Sequence, residues 1–151
     1  EPVDFADVVR EVATRLEPEV HKAESTLTME VPAELPGSSD RMRLEQIAEN
    51  LLTNAIKYGA GKPIHLRLEA REGRVMLTVR DQGIGIAPEH QARIFGRFER
   101  AVSDRNYGGL GLGLYITRTI VEALGGTIRV QSQLDQGACF TVELPREPSA
   151  P

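Results

Sequence analysis

The chain has 151 residues, 40% hydrophobic and 26% charged, which is enough for one domain with a buried core but not comfortably for two. Its 18 basic and 22 acidic residues give a net charge of −4, which argues against nucleic acid as the main partner. The single Cys139 excludes an internal disulfide framework, and no apolar run reaches membrane-spanning length. These features predict a cytoplasmic globular domain that makes no membrane contact itself. Because it begins with Glu1 rather than Met, we expect it to be a piece of a longer protein, which could be membrane-anchored.

The first forty residues predict a helix, a strand and a loop. Asp4 is a candidate N-cap for a helix whose apolar residues recur at helical spacing, and Pro18 should interrupt that helix. Leu27, Met29 and Val31 alternate with polar residues, as in a half-buried strand. The stretch PAELPGSSD that follows predicts a loop.

The middle of the chain predicts a long helix followed by a hairpin. Asp40 can cap this helix at its start, and Gly59 can end it. Two runs of alternating apolar residues, at 64–70 and 75–79, flank a turn that contains Gly73. This arrangement is typical of a β-hairpin.

The last third predicts a glycine loop that leads to a short helix, then a longer helix and two strands. Pro88 suits the first turn of the short helix, and the longer helix should follow a loop that runs to Gly109 and extend to the pair at 125–126. Strands are expected at about 128–131 and 140–144. Helices on one side of a hairpin-rich sheet predict an α/β two-layer sandwich, with a mixed sheet of about five strands and about three helices on one face.

The first of four candidate ligand-binding stretches is ENLLTNAIKY. At helical spacing, Asn50, Asn54 and Lys57 fall on one side of the predicted helix. Amide oxygens suit Mg²⁺, and an ammonium group suits phosphates. Because asparagine competes for backbone hydrogen bonds within a helix, two of them four residues apart favour a functional role over a solvated face.

The second and third stretches are DQGIGI and RIFGRFER. Asp81 ends a strand before Gly83 and Gly85, so a flat ligand could approach the backbone closely while the carboxylate accepts from an exocyclic amine. A plain turn accounts equally well for these residues. In RIFGRFER, Arg97 or Arg100 could reach phosphates, whereas the phenylalanines favour core positions.

The fourth stretch, GGLGLGLYI at 108–116, is rich in glycine and leads directly into a helix. A helix N-terminus offers unpaired N–H groups and a favourable dipole to an anion, so this stretch predicts phosphate binding. It lacks the Lys-Ser/Thr ending of a P-loop, and it does not closely follow a strand as a dinucleotide fingerprint does.

In this order, the four stretches resemble the ATP-binding catalytic domain of sensor histidine kinases, in the superfamily that includes gyrase B, Hsp90 and MutL. NLLTNAIKY resembles the N box, DQGIGI the G1 box, IFGRFER the F box and GLGLGL the G2 box, while DQGACFTVELP is similar to the closing strand motif. The resemblance runs from Asp4 to Pro145. It implies a Bergerat ATP-binding fold over 1–146, a frayed tail over 147–151, and a dimerisation and acceptor-histidine domain outside this chain.

The resemblance implies a role for each matching position. Asn54, with Asn50 one turn earlier, would ligate Mg²⁺. Lys57 and Arg100 would face the phosphates and, with Asn50, form the catalytic group. Asp81 would accept from the adenine amine. The other positions implied to contact ATP are Tyr58, Gly83, Gly85, Ile86, Gly109, Gly111, Leu112 and Gly113.

Two departures from the family pattern bear on activity. The gyrase and Hsp90 branches resemble each other in having a glutamate at the position of Asn50, where it activates water. An amide cannot accept a proton usefully, which favours phosphotransfer over ATP hydrolysis. Ala138 and Cys139 stand where small hydroxyl residues commonly precede the last strand's phenylalanine, so a hydroxyl contact near adenine is not expected.

The resemblance also implies that residues 101–108 would form a lid over ATP.

None of the three histidines, His21, His65 and His90, lies in the His-Glu/Asp motif of the family's phosphate acceptor. The resemblance therefore implies that the chain binds Mg-ATP and donates the γ-phosphate to a histidine on a separate helical hairpin, with a response regulator as an indirect partner. It would not label itself. Two alternatives stay open, an anti-sigma-like serine kinase of the same fold and a non-catalytic nucleotide-binding regulatory module.

Overall fold

A computed structural model describes residues 1–59, 61–83, 110–132 and 137–147, which form a five-stranded sheet and helices that pack against one of its faces. In chain order the elements are β1 (Pro2–Asp4), α1 (Phe5–Arg15), α2 (Glu17–Lys22), β2 (Thr26–Glu30), β3 (Pro36–Ser38), α3 (Arg41–Tyr58), β4 (Pro63–Arg71), β5 (Arg74–Arg80), α4 (Leu110–Ala123), β6 (Thr127–Ser132) and β7 (Ala138–Pro145). The short helix expected around Pro88 lies outside the described residues.

Local sequence signals set the ends of the helices. The Oδ1 atom of Asp4 accepts from the N–H of Ala6 at 2.9 Å, which confirms the predicted N-cap of α1. Pro18 lies in the first turn of α2, and it separates two helices where one interrupted helix was expected. The described residues therefore contain four helices rather than about three. Asp40 caps α3 through the N–H of Arg43 at 3.2 Å.

The large sheet has the strand order β2-β4-β5-β7-β6, and its one parallel pair, β2 with β4, makes it mixed. The hairpin of β4 and β5 confirms the prediction from alternating apolar residues. Its two turn residues, Glu72 and Gly73, have φ angles of 50° and 78°, as a tight two-residue turn between twisted strands requires. The described fold is thus the predicted two-layer α/β sandwich.

A second, two-stranded sheet corrects one prediction. Part of the stretch PAELPGSSD, predicted as a loop, forms β3 and pairs antiparallel with β1. Three-residue strands are too short to show an alternating pattern, so no periodicity in the residues predicts them. A Cβ on Gly37 would lie 2.5 Å from the carbonyl oxygen of Arg146, so this strand needs glycine where it passes the end of β7.

The core lies between the helices and the inner face of the large sheet. Alternate residues of β4, β5 and β7 point into it and meet the apolar faces of α1, α3 and α4. The largest fully buried side chains are Ile47, Leu51, Leu52, Ile64, Leu66, Leu114, Val8, Val12, Val75 and Val79. No helix among the described residues is both long enough and apolar enough to cross a membrane.

Candidate functional site

The candidate site is built around Asp81, which directly follows β5 and is only 6% exposed. Its Oδ1 atom accepts from the N–H of Gly83 at 2.9 Å and from the N–H of Ala138 at 3.4 Å. Burial raises the pKa of this carboxyl, while the two backbone donors act in the opposite direction. No cationic side chain in the described parts of the chain forms an ion pair with it. A carboxylate is therefore held in place with an accepting oxygen that these two bonds do not use.

Three glycines let separate chain segments meet at this carboxylate. A Cβ on Gly83 would lie 1.9 Å from the carbonyl oxygen of Tyr58, and one on Gly59 would lie 2.8 Å from the Cβ of Asp81. Gly137, whose φ is 88°, would place a Cβ 2.1 Å from the carbonyl oxygen of Asp81. The ends of α3 and β5 and the start of β7 are thus in backbone contact, which no larger residue would permit.

Two amides stand one turn apart on α3, the helix whose C-terminal end meets Asp81. Asn50 donates from Nδ2 to the Oγ1 atom of Thr117 at 3.1 Å, so its carbonyl oxygen remains an acceptor. The Nδ2 atom of Asn54 is buried and has no hydrogen-bond partner among the described residues. An unsatisfied buried amide costs roughly 1–3 kcal/mol, so we expect this side chain to have a further partner. Rotation of the amide exchanges nitrogen for oxygen, so the pair fits a hard cation such as Mg²⁺.

The last turn of α3 carries a positive charge, Lys57, three residues after Asn54. Lys57 is exposed, and its Nζ atom lies 5.6 Å from the ring centroid of the half-buried Tyr58. At this distance the ring attracts the ammonium group. An aromatic ring and a cation therefore lie next to the backbone that contacts Gly83.

The described part of the glycine-rich stretch is the start of a helix, as predicted. Helix α4 begins at Leu110, so Gly111, Leu112 and Gly113 lie in its first turn. The N–H groups of a first turn have no intrahelical partners and carry the positive end of the helix dipole, which suits an anion. The sequence-predicted positions that lie outside the described residues are Gly85, Ile86, Arg97, Arg100, Gly109 and the lid at 101–108.

Sequence reasoning missed two contributors to this site. Thr117 is fully buried beside Leu114 and Val121, and a polar residue in the apolar stripe of α4 was the signal that could have revealed it. Ala138 contributes its backbone N–H, which no side-chain pattern predicts. Strand alternation buries Ala138 and leaves Cys139 half-buried on the opposite face, so of these two residues only position 138 faces the site.

The fold and the glycine-lined edge define the class of Bergerat-fold ATP-binding domains. A profile described as "Histidine kinase-, DNA gyrase B-, and HSP90-like ATPase" matches residues 39–148, and the chain belongs to this family. It is 37% identical to the alginate biosynthesis sensor protein KinB of Pseudomonas aeruginosa, over 94% of this chain and 24% of KinB. It is also 37% identical to the sensor histidine kinase AruS of the same species, over 95% of this chain and 16% of AruS. The chain thus spans about a quarter or less of these relatives.

Solved structures of histidine kinases share this fold. The catalytic domain of histidine kinase ThkA superposes with a TM-score of 0.86 at 28% identity, covering 98% of this chain and 96% of that one. Full-length ShkA in complex with AMPPNP has a TM-score of 0.84 at 34% identity, covering 100% of this chain and 32% of ShkA. A complex of ThkA with the response regulator protein TrrA gives 0.81 at 27% identity, covering 97% and 41%.

Proposed function

We propose that residues 1–146 form the ATP-binding catalytic domain of a sensor histidine kinase and that 147–151 are a frayed tail. The domain binds Mg-ATP and donates the γ-phosphate to a histidine on a separate helical hairpin, from which a response regulator receives it. Family membership and the sensor-kinase relatives support this reading. The ShkA complex with AMPPNP supports the nucleotide, and the ThkA complex with TrrA supports the downstream partner.

The observation that carries the proposal is the environment of Asp81. Both described hydrogen bonds to its side chain use Oδ1, which leaves Oδ2 to accept from the exocyclic amine of adenine. A buried carboxylate with no ion pair in the described residues favours a neutral donor that completes its hydrogen bonding. Gly83 keeps the neighbouring backbone close, so the flat base can lie against it.

The groups on α3 and α4 would receive the phosphates and their metal. Asn50 and Asn54 would hold Mg²⁺, which when bound neutralises charge on the phosphate oxygens. Lys57 would add positive charge, and the first turn of α4 would supply backbone donors. Asn50 is an amide and cannot take a proton from water, so the site holds ATP for an external nucleophile instead of hydrolysing it. Arg100 is proposed to share the phosphate-facing role from the sequence alone.

Calorimetric titration with AMPPNP, in magnesium and in EDTA, tests the nucleotide site. Wild-type protein should bind more tightly with magnesium. Asn54→Ala should lose about 1.5–3 kcal/mol of that gain, roughly 10- to 150-fold in affinity, because a charge-assisted contact is removed.

The matched control is Gln46→Ala, which removes an exposed amide from the same helix. It should bind as the wild type does. Magnesium-independent binding, or equal affinities for the two variants, would contradict the assignment of Asn54.

A further inference from the structure

Thr117 is an unusual residue for its place in the fold. It is 0% exposed and lies on α4 between Leu114 and Val121, which are also fully buried. Valine has the same shape and a similar helix propensity, and it would avoid the cost of burying a hydroxyl. A threonine here therefore needs a polar partner that justifies the hydroxyl.

One such partner is the side chain of Asn50 on α3. Its Nδ2 donates to the Oγ1 atom of Thr117 at 3.1 Å and joins two helices across 67 residues of sequence. Because Oγ1 accepts this bond, the hydroxyl proton is directed elsewhere, as helical threonines allow by donating to a carbonyl of the preceding turn. In this structure Nδ2 is therefore the end of the amide that faces the threonine.

Because the amide is planar, the hydrogen bond from Nδ2 also sets the direction of the Oδ1 atom. With Nδ2 held by Thr117, the Oδ1 atom of Asn50 must point to the other side. Only this oxygen can ligate a cation, since the amide nitrogen has no free lone pair for a metal. Asn54, one turn later, has no such anchor in the described residues, since its Nδ2 lacks a partner there.

We propose that Thr117 is a positioning residue that orients the Asn50 amide and so presents its Oδ1 to the metal of bound Mg-nucleotide. The inference rests on the proposed function, which assigns Asn50 to the metal. It also links the two phosphate-facing elements, because Thr117 belongs to the helix whose first turn contains the glycine-rich stretch. Partners that orient a metal ligand typically change metal affinity by about 10- to 100-fold when removed.

The experiment compares four variants with the wild type: Thr117→Val, Thr117→Ser, Asn50→Ala and the control Thr119→Val. Thr119 is exposed on the same helix, and its hydroxyl donates to the carbonyl oxygen of Tyr115 at 2.9 Å. AMPPNP affinity is measured by calorimetry with magnesium and with EDTA. Thr117→Val should reduce the magnesium-dependent gain in affinity by about tenfold. Its affinity in EDTA should stay unchanged, and Thr117→Ser and Thr119→Val should match the wild type.

A second readout needs neither metal nor nucleotide. The side-chain amide protons of Asn50, followed by NMR, should exchange with water more slowly in the wild type and in Thr117→Ser than in Thr117→Val. Thermal unfolding of each variant confirms that it is folded.

The outcomes separate this inference from the proposed function. If Asn50→Ala removes the magnesium-dependent gain and Thr117→Val does not, the positioning role of Thr117 is wrong while the role of Asn50 stands. If Asn50→Ala also leaves that gain intact, the metal assignment itself fails, and the inference fails with it.

Discussion

Replacing Asp81 by asparagine changes the single oxygen atom that is proposed to recognise adenine. The amide oxygen of asparagine can still accept from the N–H groups of Gly83 and Ala138, so the local backbone keeps its bonds. The remaining carboxylate oxygen becomes an NH₂ group. That donor would face the exocyclic amine of adenine, which is also a donor. Asp81→Ala is a blunter change, because it leaves both backbone N–H groups unpaired.

The magnitude follows from the lost interaction. A hydrogen bond to a charged group contributes about 1.5–3 kcal/mol, so Asp81→Asn should weaken AMPPNP binding by roughly 10- to 150-fold. Stability should change in the opposite direction. Burial raises the pKa of Asp81, so the ionised form is destabilising at pH values above its folded pKa, and this cost disappears as the pH falls. Nucleotide-free Asp81→Asn should therefore unfold at a higher temperature than the wild type at pH 7, by a margin that shrinks in acid.

Calorimetry with AMPPNP and GMPPNP provides the assay. Guanine has a carbonyl where adenine has the amine, so Asp81→Asn should lose affinity for AMPPNP and lose discrimination against GMPPNP. Asp40→Asn is the control, because Asp40 is an exposed N-cap of α3 and asparagine caps helices as well as aspartate. If Asp81→Asn binds AMPPNP as tightly as the wild type and Asp40→Asn do, the assignment of Asp81 to adenine is refuted.

Three other predictions concern stability. Gly83→Ala should lower the free energy of unfolding by about 1–3 kcal/mol, because its Cβ would overlap the carbonyl of Tyr58. Urea unfolding should show a smaller loss for Gly61→Ala, which carries the strain of a φ of 80° but meets no neighbouring atom. Backbone N–H groups, first that of Leu35, lower the pKa of Asp4 from its ordinary value of 3.8. The ionised Asp4 carboxylate therefore stabilises the folded state at pH values above 3.8, and this stabilisation is lost as the pH falls through the folded pKa. Unfolding curves of wild type and Asp4→Asn should therefore differ at pH 7 and converge in acid. Arg41→Ala breaks the ion pairs that join α3 to Asp7 and Glu11 of α1, and its effect on the melting temperature should shrink in high salt.

Local features of the fold could be predicted from the sequence. Asp4 and Asp40 cap their helices because a short polar side chain before an apolar stripe specifies a start within three residues. Pro18 interrupts the first helical stretch because its ring excludes the preceding turn's carbonyl and it has no N–H to donate. The hairpin at Gly73 follows from alternating apolar residues on both sides of a glycine turn. Each of these signals acts within a few neighbours along the chain.

Features that join distant residues could not be predicted in this way. The pairing of β1 with β3 involves strands too short to show a period. The contact between Asn50 and Thr117, like the bond from Ala138 to Asp81, depends on how separate elements pack. The roles given to the site residues came from resemblance to a family. They remain predictions, although the buried carboxylate and the unsatisfied amide of Asn54 are consistent with them.

Phosphotransfer from ATP to a separate hairpin is the reaction that this domain is proposed to perform. The chain is mixed with γ-labelled ATP, magnesium and the helical hairpin of the kinase to which it is proposed to belong. Because catalysis of phosphoryl transfer consists mostly of positioning and charge stabilisation, separation of the halves should slow the reaction without abolishing it. We predict an acid-labile, base-stable label on the hairpin and none on this chain. An acid-stable label on a serine, or rapid release of phosphate by the chain alone, would contradict the account.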